Sequence, residues 1–159
     1  MKYDVASPSS SRVISLEKEL LSLSPYVSKK EAKDLSVFAL RYTKILANRY
    51  HITISPRFQN FLINIGLKKR GYCYNYADDL AKALLKRDYK SFDFYRIIYR
   101  KGTAFEHNAL LVRAKDSNSS GVVLDGWRNA GRLYFSKIAD DKKYKWRIFY
   151  QLKQNLTNR

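Results

Sequence analysis

The sequence predicts an α+β fold in which N-terminal helices pack on a C-terminal antiparallel sheet. Two observations support this prediction. As far as Leu84, apolar residues recur at the three- and four-residue steps that are typical of helices. After Lys90, aromatic and β-branched residues form short runs separated by turn-forming segments, which is typical of strands. Helices therefore come first along the chain and strands follow.

Length and composition indicate a single domain. A chain of 159 residues is long enough for one hydrophobic core and too short for two domains that each have a sufficient core. Its 45% hydrophobic content is that of a globular protein. Residues 1–12 include Ser7-Pro8-Ser9-Ser10-Ser11, so we expect them to form a flexible tail. Residues 13–155 are then the domain.

Three helices are predicted before the only cysteine. The first begins near Ser15. The second covers roughly residues 29–49, because Ser28-Lys29-Lys30-Glu31 has the capping-box pattern and a long apolar face follows it. The third lies between the start signal Ser55-Pro56 and the terminating Gly66.

A fourth helix is predicted to begin at Cys73, shortly after Gly71. Its apolar residues form one buried stripe: Tyr76, Ala77, Leu80, Ala81 and Leu84. The alanines on that stripe would let the helix lie close to a sheet. A single cysteine excludes an internal disulfide and a metal cage made of several cysteines.

Five strands are predicted after this helix: Phe92–Tyr99, Phe105–Val112, Val122–Asp125, Arg132–Phe135 and Trp146–Leu152. His107 lies on the second strand and Asp125 ends the third. Because consecutive antiparallel strands are neighbours in a sheet, we expect His107 and Asp125 to lie close together.

Cys73, His107 and Asp125 have the side chains of a nucleophile, a general base or acid, and an orienting carboxylate. A nucleophilic cysteine must be a thiolate, and a helix N-terminus and a nearby imidazolium both favour that form. A carboxylate beside the histidine would fix its tautomer and stabilise its charged form. The backbone N–H of Cys73 would point toward an oxyanion, as acyl transfer requires.

Each of these residues has a structural alternative when it is considered alone. Buried free cysteines are common, a single histidine is often structural, and Asp125 before Gly126 is a typical turn pair. The combination, in the order helix start, strand and end of the next strand, favours a functional site. His51 lacks such a context, and we interpret it as structural.

Three segments resemble the transglutaminase-like branch of the papain-like cysteine enzymes: Gly71-Tyr72-Cys73, His107–Val112 and Val122–Trp127. They lie within about residues 70–128. The resemblance implies a transglutaminase-like domain that needs no cofactor. It also implies a thioester between Cys73 and an amide-bearing substrate, with His107 as base and Asp125 as orienter. Water or an amine would resolve the thioester, by peptide cleavage, glutamine deamidation or transamidation.

The sequence departs from the papain pattern at the oxyanion position. Papain-type enzymes have a glutamine six residues before the cysteine, and Leu67 stands there in this chain. An oxyanion side chain must come from elsewhere, and three amides are candidates: Gln59, Asn60 and Asn75. The residues predicted to contact substrate are Tyr72, Asn75 and Trp127.

A second resemblance involves Arg70-Gly71-Tyr72-Cys73, which is similar to a motif of the arylamine N-acetyltransferases, enzymes with the same triad. Those enzymes have a double glycine and are much longer. Use of acetyl-CoA is therefore not expected.

Thirty-one Lys and Arg residues against fourteen Asp and Glu residues give a net charge of +17. Such a charge favours anionic partners, so an acidic protein or peptide substrate or a cell-wall peptide is expected. Zinc-ligand spacing and an aromatic RNA-binding signature are missing from the sequence, which makes nucleic acid a less favoured partner. A non-catalytic basic module that binds an acidic protein, a wall polymer or nucleic acid is the alternative function.

Two further classes are less favoured. A metal site made of Cys73, His107 and Asp125 would lack a known ligand spacing.

No run approaches the ~20 apolar residues of a membrane span, and the N-terminus lacks the apolar core of a signal peptide. A secreted or periplasmic bacterial protein with its signal removed and a cytoplasmic protein both remain open.

Overall fold

The computed structural model describes residues 7–50, 73–118 and 120–153. These residues have an α+β architecture, with three helices and a five-stranded antiparallel sheet. The helices are α1 (Ser10–Leu21), α2 (Lys29–Arg49) and α3 (Cys73–Leu85). The strands are β1 (Phe92–Tyr99), β2 (His107–Ala114), β3 (Val122–Asp125), β4 (Tyr134–Lys137) and β5 (Arg147–Leu152), with a short 3₁₀ helix at Ile138–Asp140.

The second helix begins where its capping signal predicts. The Ser28 hydroxyl accepts a hydrogen bond from the Glu31 backbone N–H at 3.2 Å. The Glu31 carboxylate does not return to Ser28. It accepts instead from the backbone N–H groups of Lys90 and Ser91, at 2.8 and 2.7 Å. The Glu31 side chain therefore connects the start of α2 to the segment that leads into β1.

Three predicted starts are wrong by two or more residues, and the second and fourth strands also end two residues later than predicted, at Ala114 and Lys137. Helix α1 begins at Ser10 because the Ser9 side chain caps it, so residues 10–12 of the predicted tail are helical. Strand β2 begins at His107, since a turn that bonds Glu106 N–H to the Thr103 carbonyl precedes it. Strand β4 begins at Tyr134, since Arg132 is still held in a turn. The predicted helix ending at Gly66 and His51 lie outside the described residues.

The strand order is β4-β3-β2-β1-β5, so β4 and β5 form opposite edges of the sheet. The chain between them must cross the sheet, and we call residues 138–146 the crossover segment. The helices cover one face, where the larger core includes Phe94, Leu110 and Leu124. The smaller cluster of Ile97, Ala109, Leu111 and Val123 packs against Ile138 and Trp146 of the crossover segment. The central strands are thus buried on both faces.

Helix α3 packs mainly against β2, and Ala77 and Ala81 on its inner face are buried. Two acidic residues of α3 attach it to neighbouring elements. Asp78 accepts from the buried Arg96 guanidinium of β1, and Asp79 accepts from the Tyr50 hydroxyl just after α2. These bonds fix the position of the helix start and hence of Cys73.

Within the described ranges, no helix combines the length and apolar character that a membrane crossing requires.

Candidate active site

Cys73 is the first residue of α3, as the sequence predicts, and its side chain is buried. The backbone N–H groups in the first turn of a helix have no acceptor within that helix. They give this end a partial positive charge that favours an anion. On the sheet side, the Asn108 amide nitrogen lies 3.8 Å from the sulfur of Cys73.

The sheet register brings His107 and Asp125 together. Leu110 of β2 pairs with Leu124 of β3, so Asp125 follows one step later on β3, at the end of the sheet where β2 begins. His107 Nε2 donates to Asp125 Oδ2 at 2.6 Å, and the two side chains are only 2% and 0% exposed. The predicted pairing of this histidine with this carboxylate is present.

The environment of His107 favours the charged imidazolium. Burial is the largest single influence and opposes the charge, but the hydrogen bond to Asp125 and the interaction with Cys73 outweigh it. Together they raise the pKa of His107 to about 9. Among the residues that the structure describes, Nδ1 of this ring has no hydrogen-bond partner. With Nε2 engaged by Asp125, Nδ1 is the atom left to exchange a proton with the Cys73 thiol.

Asp125 is held by further donors. Its Oδ1 accepts from the backbone N–H groups of Trp127 and Arg128, both at 3.1 Å. Its Oδ2 accepts from Arg128 Nε at 3.1 Å as well as from the imidazole. The turn after β3 therefore fixes both carboxylate oxygens, and the carboxylate fixes the ring of His107.

Three aromatic rings surround the imidazole. The ring centroids of Trp127, Tyr144 and Trp146 lie 4.7, 4.6 and 5.2 Å from that of His107. Such packing excludes water and stabilises a buried cation through the ring faces. Nε1 of Trp127 is buried and, within the part of the chain that the structure describes, has no hydrogen-bond partner. A free donor thus lies beside the imidazole.

The structure brings Cys73, His107 and Asp125 to one place, with Trp127 beside them. Asn75, predicted to contact substrate, lies buried in the first turn of α3. Tyr72, also predicted to contact substrate, is outside the described residues, as are Gln59 and Asn60.

Five residues near the triad were not predicted as site residues: Asn108, Arg128, Asp141, Tyr144 and Trp146. Asn108 follows His107, but consecutive strand residues point to opposite faces, so a role for both was not expected. Arg128 stands three residues after Asp125, which is a usable signal for a local ion pair. The residues of the crossover segment carry no motif and reach the site only because the chain crosses the sheet.

Among the described residues, no group of three or more His, Cys, Asp or Glu side chains is arranged to hold a metal ion. Comparison of the chain with protein-family models, with curated proteins and with solved structures finds no match.

Proposed function

We propose that the protein is a cysteine-nucleophile amide hydrolase or acyl transferase of the transglutaminase-like, papain-like type. The observation that supports this most directly is the continuous buried arrangement of Cys73, His107 and Asp125. The thiol is at a helix start, and the imidazole has one nitrogen on a carboxylate. Its other nitrogen has no hydrogen-bond partner among the described residues. This is the arrangement that nucleophilic catalysis by cysteine requires.

In the proposed first step, His107 Nδ1 takes the thiol proton and the sulfur of Cys73 attacks the carbonyl carbon of an amide. The carbonyl π electrons move to oxygen and give a tetrahedral oxyanion. The oxyanion then collapses, the C–N bond breaks, and the imidazolium gives its proton to the leaving amine or ammonia. The product is a thioester on Cys73 and a neutral imidazole.

In the second step, His107 takes a proton from water or from an amine, which attacks the thioester carbon. Collapse of the new oxyanion breaks the C–S bond, and the proton returns to sulfur. Water gives peptide cleavage or glutamine deamidation, and an amine gives transamidation. Asp125 keeps the ring in one orientation and stabilises its charged form in both steps.

Oxyanion stabilisation needs donors that are fixed before the reaction begins. The backbone N–H of Cys73 belongs to the first turn of α3, and the Asn108 amide lies close to the sulfur. We propose these two groups as donors, in place of the glutamine side chain that Leu67 replaces. Trp127, next to His107, is proposed as a wall of the substrate site.

The test is the rate at which iodoacetamide alkylates Cys73 from pH 5 to pH 9. We expect fast alkylation well below pH 8 in the parent. His107→Ala should lower the rate at pH 6 by roughly tenfold or more, because the thiolate loses its counter-ion. Cys73→Ala is the control for labelling, since the chain has no other cysteine. Equal profiles in the parent and in His107→Ala would contradict the proposal.

Turnover is tested with peptides, glutamine-containing proteins and cell-wall fragments, and release of ammonia separates deamidation or transamidation from cleavage. Cys73→Ala should abolish release of product while circular dichroism shows an unchanged fold. Retained turnover in this variant would exclude Cys73 as the nucleophile.

One surface favours the alternative function, a basic binding module. Phe38 and Tyr42 stack on α2 with centroids 5.2 Å apart. The guanidinium groups of Arg87 and Arg49 lie 4.4 and 5.8 Å from the centroids of Phe38 and Tyr42, respectively. Lys82 and Lys86 line the same groove between α2 and α3. Basic and aromatic groups of this kind bind nucleic acid or acidic chains.

Salt dependence separates this alternative from the enzyme. A binding module should retain a single-stranded oligonucleotide or poly-glutamate at 50 mM salt, release it steeply as salt rises, and be unaffected by Cys73→Ala. The absence of binding at low salt would remove the alternative.

A further inference from the structure

Buried polar contacts join Asp125 to the crossover segment through one arginine. Arg128 Nε donates to Asp125 Oδ2 at 3.1 Å. Its two terminal nitrogens donate to the two oxygens of Asp141, at 3.2 and 2.6 Å. The side chains of Arg128 and Asp141 are 7% and 1% exposed. Because a buried bidentate ion pair allows little change in orientation, it fixes Arg128 and Asp141 relative to each other.

Asp141 also holds one of the three aromatic rings that surround the imidazole. Its Oδ2 accepts from Trp146 Nε1 at 2.8 Å, and its Oδ1 accepts from the Lys143 backbone N–H at 3.1 Å. The ring of Trp146 packs on His107. One carboxylate therefore holds both the arginine that supports Asp125 and an indole that encloses the imidazole.

Charge gives Asp141 a second effect. Beside Asp125, an uncompensated Arg128 would cancel the negative charge that stabilises the imidazolium of His107. Asp141 neutralises Arg128, so the three groups together keep one net negative charge next to the ring. The other titratable groups facing His107 are Cys73 of α3, Tyr144 of the crossover segment and Tyr99, which pairs with His107 across β1 and β2. None of these is a carboxylate.

We propose that Arg128 and Asp141 are positioning residues for the candidate active site: they fix Asp125 and keep its charge available to His107. Their relevance to catalysis rests on the proposed function, but their effect on the imidazole does not depend on turnover. They touch neither Cys73 nor a reacting atom, so their role is exerted through Asp125 and Trp146.

The test is titration of the histidine ring by NMR in Asp141→Asn. The chain has two histidines, and His51→Gln assigns their signals. We expect the pKa of His107 to fall by about one unit, because the variant keeps the shape of the side chain and removes the charge that neutralises Arg128. Asp141→Glu restores the charge and should bring the pKa back toward the value of the parent.

Asp93→Asn is the matched control. Asp93 is also a buried carboxylate on this sheet, bonded to Lys115 Nζ at 3.1 Å and to the Asp116 backbone N–H at 2.9 Å. It lies near the opposite end of β1 from Tyr99, the partner of His107. The Asp93→Asn substitution should lower the free energy of unfolding without moving the pKa of His107. An unchanged pKa in Asp141→Asn, or an equal change in Asp93→Asn, would overturn the proposal.

Arg128→Lys keeps the test decisive if Asp141→Asn does not fold. Lysine keeps the positive charge but cannot bond Asp125 and Asp141 in one fixed geometry. Above the pKa of His107, the parent ring should carry its proton on Nε2, and ¹⁵N shifts should show a mixture of tautomers in Arg128→Lys. A single Nε2–H tautomer in this variant would exclude a positioning role. If the pKa and tautomer change but no amide is turned over, the positioning role stands and the proposed function fails.

Discussion

At the residue scale, the raised pKa of His107 has a consequence for stability. The folded-state pKa of about 9 lies above the ordinary value of 6.5. The protonated ring therefore stabilises the fold fully below about pH 6.5, and this contribution is lost as pH rises through 9. Its size is on the order of 3 kcal/mol, since the pKa differs by about 2.5 units and each unit corresponds to about 1.4 kcal/mol.

Urea unfolding of the parent and of His107→Gln between pH 6 and 10 tests this prediction. The free energy of unfolding of the parent should fall more steeply across this window than that of the variant, whose side chain does not titrate. Parallel pH dependences would contradict a raised histidine pKa.

The proximity of Cys73, His107 and Asp125 could be predicted because each residue belongs to a recognisable local context. Cys73 begins a helical stripe, His107 lies in a segment predicted as a strand, and Asp125 ends the next one. Arg128 and Asp141 could not be predicted as a pair, because thirteen positions separate them and only the return of the chain over the sheet joins them. Local patterns do not encode a contact of that kind.

At the element scale, the junction between β3 and the following turn leaves no space for a side chain. A Cβ added at Gly126 would lie 2.8 Å from Tyr76 Cδ1 and 2.9 Å from Thr43 Cγ2. Gly126→Ala should therefore lower the free energy of unfolding by about 1–3 kcal/mol. Because Gly126 follows Asp125 directly, the alkylation rate of Cys73 should fall as well.

Urea unfolding of Gly126→Ala with and without Thr43→Ser checks the cause. Serine lacks the Cγ2 methyl group, and its hydroxyl can keep the 2.7 Å bond that Thr43 donates to the Ala39 carbonyl. Thr43→Ser should recover part of the loss in the double variant, and alone it serves as the control. A parent-like unfolding midpoint in Gly126→Ala would show that the junction has room.

Element boundaries were predicted well where two signals coincide. Residues 29–49 were predicted as a helix from both a cap and a period, and the observed bounds are Lys29–Arg49. The start of β2 was misplaced because Phe105 looks like a strand residue, whereas it is 56% exposed in the turn before the strand. Hydrophobicity alone does not separate a strand residue from an exposed turn residue.

At the scale of the whole molecule, helix-first order predicted the α+β class but not the burial of the sheet on both faces. The second layer consists of the short crossover segment, which has no helical or strand periodicity to reveal it. Its position follows only from β4 and β5 being at opposite edges. The site therefore depends on two layers: helix α3 supplies the thiol, and the crossover segment encloses the histidine.

The net charge of +17 gives a prediction at this same scale. Iodoacetate and iodoacetamide alkylate a thiol by the same displacement, but only iodoacetate is an anion. We compare the rate with iodoacetate divided by the rate with iodoacetamide. In 10 mM salt this ratio should be several-fold larger at Cys73 than on free N-acetylcysteine, because a positive field concentrates anions near the protein. In 1 M salt the screening length is about 3 Å, and the two ratios should converge. A ratio at Cys73 that does not change with salt would mean that the excess charge does not act at the site, and the expectation of an acidic substrate would lose its electrostatic basis.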